Sequence, residues 1–315
     1  MKKVEFYDFA NQEVFILQKI DLKGIYPPIV TPFLEGEVSY SYLTKNIEKL
    51  NKSGIKGVIV LGSNGENVFL SEEEKFNVVK TVMKSASKDL QIIVGTGCES
   101  TRETIILTNK LANMGADAAL VVTPSYYGSK MNDEALIDYY SKVANKSEIP
   151  ILLYNVPKFT GVNISANAVS VLSAHQNIIG MKDSSGSVNL LGQYLNSINS
   201  NFDVLVGTAG ALLGALTLGC IGGVLALANI VPEKCIEIYQ LVQEGNIKKA
   251  RELQLRMIPV NDAVTSRYGI SGLKYAMDLL GYQGGEVRSP LLPTKPDEQE
   301  MIRKILLRAN LELIK

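Results

Sequence analysis

Histidine is almost absent from this 315-residue chain; there is one, His175. Hydrolytic metal sites usually take two or three imidazoles, so metal catalysis is not expected. His175 stands in the polar connection Ser173-Ala174-His175-Gln176-Asn177 and reads as solvated. Cysteine is nearly as scarce: Cys98, Cys220 and Cys235 are widely spaced and form no CxxC pair. An odd number without a framework fits a reducing cytoplasm and argues against a structural zinc site. No excess charge of either sign is present, with 32 Lys+Arg against 32 Asp+Glu. Nucleic acid or an anionic membrane as partner would call for a basic patch. No apolar run approaches the ~18 residues that span a bilayer.

The first twenty residues mix Glu5, Asp8 and Glu13 with Phe6, Tyr7, Phe9, Phe15, Ile16 and Leu17. A secretory signal would place a basic segment before an apolar one, and an organellar leader would carry arginine and few acids. Neither pattern is expected here. Residues 1–21 read as an extension that packs on the surface or on a neighbouring subunit.

What the chain does have is apolar material, 46% of its residues, enough for a large core. From residue 24 short apolar runs alternate with amphipathic ones. The runs lie at 25–31, 58–61, 92–94, 118–122, 151–154, 178–182, 204–206 and 223–227. They are rich in Val, Ile and Leu without polar alternation, as in parallel strands buried on both faces. Between them, 40–53 places Leu43, Ile47 and Leu50 on one helical face. Ser71 with Glu74 and Ser100 with Glu103 read as capping boxes. Further helices are expected over 72–84, 104–114, 132–146, 188–197, 212–218 and 233–244, the last with Pro232 in its first turn.

Eight such units predict a (β/α)₈ TIM barrel over residues 22–244. A doubly wound sheet would usually show fewer strands and a GxGxxG after the first one, which is absent. Pro27 and Pro28 conflict with a closed barrel, so they are expected before the paired part of the first strand or in a bulge. After 244 the strands stop, and helices are predicted over 246–267, 271–280 and 297–313. Residues 245–315 thus form a C-terminal helical extension.

In such barrels chemistry sits at the carboxyl ends of the strands. The sixth run, Ile178-Ile179-Gly180-Met181, ends on Lys182, and the fifth, Ile151-Leu152-Leu153, ends on Tyr154. Taken singly, Lys182 reads as a surface lysine capping a strand; only its place in the fold argues for more. A lysine in a mostly apolar, closed mouth is poorly hydrated as a cation, which favours the uncharged, nucleophilic amine. It can attack a ketone to form a Schiff base, an electron sink that needs no metal or cofactor. A phenol with a lowered pKa can carry the proton, and Tyr154 is the candidate. Gly62-Ser63-Asn64-Gly65 offers hydroxyl, amide and backbone N–H donors suited to a carboxylate. The tetrapeptide alone does not distinguish this from an ordinary βα turn, and Gly95-Thr96-Gly97 reads as a plain turn.

GSNGE at 62–66, TPSYY at 123–127, YNVP-x-x-TG at 154–161, GMKDSSG at 180–186 and GTAG at 207–210 resemble the dihydrodipicolinate synthase/N-acetylneuraminate lyase superfamily. The likeness covers about residues 22–315. Within it the chain looks nearest to the 4-hydroxy-2-oxoglutarate aldolases, on GSNGE, GTGCEST at 95–101, GADAALVVTPSYY at 115–127 and YGISGLKYAMDLLGYQGG at 268–285.

The resemblance implies that Lys182 is the Schiff-base lysine and Tyr154 the proton shuttle. It implies that Ser63 relays protons between Tyr154 and Tyr126, the latter lent by an adjacent subunit. Ser63 and Asn64 would hold the keto acid's carboxylate, with Ser184 and Gly207 lining the pocket. It also implies a cytoplasmic homotetramer acting on a 2-oxo acid such as pyruvate. The expected activity is metal-independent cleavage of 4-hydroxy-2-oxoglutarate to pyruvate and glyoxylate. The alternatives are 4-hydroxy-tetrahydrodipicolinate synthase, a sugar-acid lyase or dehydratase, and a non-catalytic 2-oxo-acid sensor. In the synthases YNVP runs on to an arginine that grips the semialdehyde's carboxylate. Here that position is Phe159, which cannot form a bidentate pair.

Overall fold

The computed structural model describes residues 20–314 throughout and the backbone alone of 3–8 and 13–18. Those two segments pair as an antiparallel hairpin, with Phe6 opposite Phe15. What residues 1–19 pack against lies outside the described residues; Ile20 packs on the apolar cluster inside the ring.

Eight parallel strands follow: β1 (Gly24–Tyr26), β2 (Gly57–Val60), β3 (Gln91–Gly95), β4 (Ala118–Val122), β5 (Ile151–Asn155), β6 (Ile178–Asp183), β7 (Asp203–Val206) and β8 (Gly222–Val224). Each pairs with its successor from β2 to β8, and β8 pairs with β1. The ring closes between β1 and β2 through single bonds: Lys56 N to Ile25 O, Ile59 N to Pro27 O and Ile29 N to Ile59 O, each 3.0 Å. This is the expected (β/α)₈ barrel.

The two prolines, however, follow the stretch paired with β8 and lie within the contact with β2, where Pro28 bridges Ile59. Proline lacks an N–H but keeps its carbonyl, and Pro27 uses that carbonyl to accept from the second strand. Side chains inside the ring include Tyr26, Ile59, Ile93, Leu120, Leu152, Leu205 and Val224. A second apolar layer lies between sheet and helices. Burial on both faces explains why the strands lack polar alternation.

The barrel helices are α1 (Tyr40–Leu50), α2 (Glu72–Ser85), α3 (Thr101–Asn113), α4 (Asp133–Lys146), α5 (Ala166–Leu172), α6 (Val188–Ser197), α7 (Leu212–Leu218) and α8 (Pro232–Gln243). Leu43, Ile47 and Leu50 of α1 are buried, as their spacing predicts. The Ser71–Glu74 capping box is complete. At Ser100 only half of one forms, the hydroxyl accepting from Glu103 N at 3.1 Å. Helix α5 has no counterpart among the sequence expectations.

The remaining helices are α9 (Ile247–Asp262), α10 (Gly269–Leu279) and α11 (Pro296–Arg308). Helix α9 ends in a π-turn, Ala263–Arg267, where one uninterrupted helix was expected. Helix α11 stops short of 313 because Asn310 takes a left-handed conformation, φ 59°, just past its end. No helix among the described residues is long and apolar enough to cross a membrane.

Candidate active site

Lys182 and Tyr154 are register partners on β6 and β5. Equal register on neighbouring parallel strands aims both side chains the same way. The Lys182 Nζ stands 4.1 Å from the centroid of the Tyr154 ring. Lys182 is 4% exposed and Tyr154 5%, so neither group is in bulk water. The Tyr154 hydroxyl lies 3.2 Å from Ser63 Oγ, at the end of β2. Burial alone would raise the Tyr154 pKa. The Lys182 charge and hydrogen bonding with Ser63, Lys182 and Ser184 outweigh it and hold the phenol below its usual range.

The strand end is held by a buried polar network. Asp183, fully buried, accepts from Asn155 Nδ2 at 2.8 Å and Ser185 Oγ at 2.6 Å. Burial pushes its carboxyl up, partly offset by those bonds. The Asp183 carbonyl accepts from Gly207 N at 2.6 Å, and Ser184 N donates to Asn155 O at 2.8 Å. A Cβ at Gly207 would overlap Ser184 Oγ and the Asp183 carbonyl, so only glycine fits where β7 meets β6.

Ser63-Asn64-Gly65 forms one 3₁₀ turn. Leu61 and Glu66 flank it with left-handed backbone, φ 59° and 52°, a conformation that costs energy for residues other than glycine. The buried Asn64 Nδ2 has no hydrogen-bond partner among the described residues. That matches a group reserved for an oxygen acceptor.

Tyr126 is placed differently. It is 80% exposed and packs edge-on against Tyr127, with ring centroids 5.0 Å apart. No hydrogen bond among the described residues joins it to Ser63 or Tyr154. Its loop is clamped by Glu99, whose carboxylate accepts from Ser125 N, Tyr126 N and Ser125 Oγ, each at 2.9 Å. His175 bonds to Asn145 at 2.9 Å on a peripheral connection, away from these groups.

A cavity of about 180 Å³ opens beside Tyr154 and Ser63. Lys182 does not line it. Its walls include Cys98, Thr123, Phe159 and Thr160, and its one charged lining residue is Glu99. Glu99, Asn155 and Asp183 were not expected as site residues. Each acts through partners far away in the chain or through burial, neither of which local composition displays.

A lysine buried beside a tyrosine at the mouth of a (β/α)₈ barrel fits one class of protein, the aldolase-type enzymes. The dihydrodipicolinate synthetase family profile matches residues 21–309, and the chain belongs to that family. It is accordingly a lyase of the pyruvate-dependent class I aldolase type. Among its relatives is a 4-hydroxy-tetrahydrodipicolinate synthase of Methanothrix thermoacetophila, 37% identical over 91% of this chain and 97% of that protein. One from Thermodesulfovibrio yellowstonii is 34% identical over 92% and 99%. Among solved structures, the chloride-inhibited dihydrodipicolinate synthase from Acinetobacter baumannii complexed with pyruvate superposes with a TM-score of 0.88. It is 32% identical, covering 92% of this chain and all of that one.

These names overturn the expected kinship with 4-hydroxy-2-oxoglutarate aldolases and the cleavage activity that went with it. The segments that suggested it do structural work. Glu99 of GTGCEST clamps the 125–126 loop. At Gly284, near the end of YGISGLKYAMDLLGYQGG, a Cβ would overlap the Lys274 backbone.

Proposed function

We propose that this chain is a cytoplasmic 4-hydroxy-tetrahydrodipicolinate synthase, joining pyruvate to aspartate semialdehyde as its relatives' name denotes. The observation that carries the chemistry is the buried Lys182–Tyr154–Ser63 array. The Lys182 amine attacks the ketone carbon of pyruvate, and the adduct loses water to leave an imine. Tyr154 takes a proton from the methyl carbon, giving an enamine. The enamine carbon then attacks the aldehyde, the new alkoxide takes a proton from the Tyr154–Ser63 relay, and the semialdehyde's own amine adds to the imine carbon and expels the Lys182 amine, closing the ring and freeing the lysine. The imine is the electron sink, so no metal or other cofactor enters the scheme. Ser63 and Asn64 hold the pyruvate carboxylate, with Ser184 and Gly207 lining the rest. Tyr126 of a second copy completes the relay, which requires a dimer at least; a homotetramer is the assembly we propose.

Phe159 and the cation-free cavity favour a second reading for the acceptor half, a related lyase working on a sugar acid whose aldehyde fragment carries no carboxylate. Borohydride reduction with pyruvate should add one reduced adduct to Lys182, and Lys182→Ala should remove it. An unchanged wild-type mass would sink the imine mechanism. A panel of aldehydes with pyruvate then separates the readings: fastest turnover with aspartate semialdehyde supports the synthase, and fastest turnover with uncharged sugar aldehydes replaces it by the second.

A further inference from the structure

Glu66 closes the GSNGE segment, and Lys274 lies in α10, within the C-terminal stretch 268–285; the reaction scheme uses neither. They meet in the interior. Lys274 Nζ is 2.5 Å from Glu66 Oε1, and both side chains are at most 2% exposed. The ammonium also donates to the carbonyls of Thr31 at 2.7 Å and Glu286 at 2.5 Å. Its nitrogen stands 4.5 Å from the centroid of the Phe33 ring. The other oxygen of Glu66 accepts from Arg288 N at 2.9 Å.

Such a pair is an expensive way to fill a core. Two charges leave water, and an apolar pair of the same size would often be as stable. Burial pushes the Lys274 ammonium down to about 8, against the pull of Glu66. Its placement shows what it holds. Glu66 is the residue after the Ser63-Asn64-Gly65 turn and sits in left-handed backbone, so the turn leaves under strain. Thr31 Oγ1 donates to the Gly65 carbonyl at 2.8 Å. The Lys274 ammonium binds the Thr31 carbonyl, joining that clamp to its own. Arg288 adds a third tie, Nη1 to the Phe69 carbonyl at 2.9 Å. Three residues upstream of Glu66, Ser63 Oγ lies 3.2 Å from the Tyr154 hydroxyl. A hydrogen bond of that length is lost when the turn shifts by about half an ångström.

We propose that Lys274 and Glu66 are positioning residues for the reaction: a buried ion pair through which the C-terminal helices hold Ser63 in register with the Tyr154 hydroxyl. This rests on the imine reading above. Lys182 sits on the opposite side of Tyr154 from this clamp in chain terms, on β6, and makes none of its contacts. Disturbing the pair therefore slows proton movement; because Ser63 and Asn64 of the same turn also hold the pyruvate carboxylate, imine formation is spared only once pyruvate is saturating, and adduct yield is compared there.

The test uses the full-length enzyme. Lys274→Met leaves Glu66 buried without its partner and risks unfolding, so Glu66→Gln/Lys274→Met, which removes both charges, is made beside it. Glu66→Gln alone keeps an acceptor for Arg288 N and is the conservative variant. Two quantities are read: the yield of borohydride-reduced pyruvate adduct by mass, and exchange of pyruvate methyl protons for deuterium by NMR. Ser63→Ala sets the exchange rate of a site without the relay hydroxyl. In the double variant adduct yield should match the wild type while exchange falls on the order of 10- to 100-fold, toward the Ser63→Ala rate. Glu66→Gln should lie between. Wild-type exchange in a folded double variant overturns the inference, as does equal loss of adduct and exchange. A wild type that traps no adduct overturns the imine reading and the inference together, and is told apart by that control.

Discussion

At position 159 a phenyl ring, 65% exposed, lines the cavity beside Tyr154. The cavity wall offers an entering carboxylate no cation, only Glu99, which repels it; Lys158 Nζ lies 5.7 Å from the Phe159 ring centroid but donates to the Thr265 carbonyl. An arginine at this position would offer a planar fork matched to a carboxylate. Phe159→Arg should lower KM for aspartate semialdehyde about ten-fold, some 1.4 kcal/mol, with kcat changed little. Steady-state kinetics at saturating pyruvate check this, and an unchanged KM would show that the carboxylate is held elsewhere. Lys182 and Tyr154 were legible because each ends an uninterrupted apolar run, a pattern written in consecutive residues. Asp183 directly follows Lys182 and stayed unread, since its meaning depends on Asn155 and Ser185 gathering around it in the absence of water.

Helix α2 shows how an element is secured at both the local and the long range. Glu74 closes the capping box with Ser71 and also takes both nitrogens of the Arg288 fork, at 2.6 and 2.8 Å. Those guanidinium bonds, set against partial burial, hold its carboxyl at about 2, below the ordinary 4.5. A depressed carboxylate stabilises the fold above its unfolded pKa and loses that contribution as pH falls through the folded one. The window is therefore from pH 4.5 down to about 2. The contribution is on the order of 3 kcal/mol at most, since the side chain is partly solvated. Glu74→Gln should be less stable than the wild type at pH 6 and converge on it toward pH 2. Urea melts across that range check the outcome; two parallel curves would refute it. The cap was readable three residues apart, whereas the pairing with Arg288 spans 214 positions and was not.

In the molecule as a whole, Tyr126 and Tyr127 project from the catalytic rim at 80% and 70% exposure, on a loop that Glu99 makes rigid. The proposed relay through Tyr126 does not close among the described residues of one chain, so that proposal requires a second copy to lend the residue. Lys182→Ala and Tyr126→Phe should each be nearly inactive. Subunits mixed and allowed to exchange should regain about a quarter of the wild-type activity, because half the pairs are mixed and each mixed pair has one complete site. No recovery after confirmed exchange would place Tyr126 outside the reaction.

Hydrophobic order along the chain determined the barrel, the number of its strands and the identity of the residues at their carboxyl ends. These follow from local periodicity, which survives without knowledge of neighbours. Tertiary structure decided the rest. It drew the first strand's prolines into the closure against the second strand, turned Tyr126 outward, surrounded Asp183 with amides and hydroxyls, and drove Lys274 against Glu66. Each of those outcomes depends on burial and on partners up to hundreds of residues apart, and neither quantity exists until the ring of strands has closed.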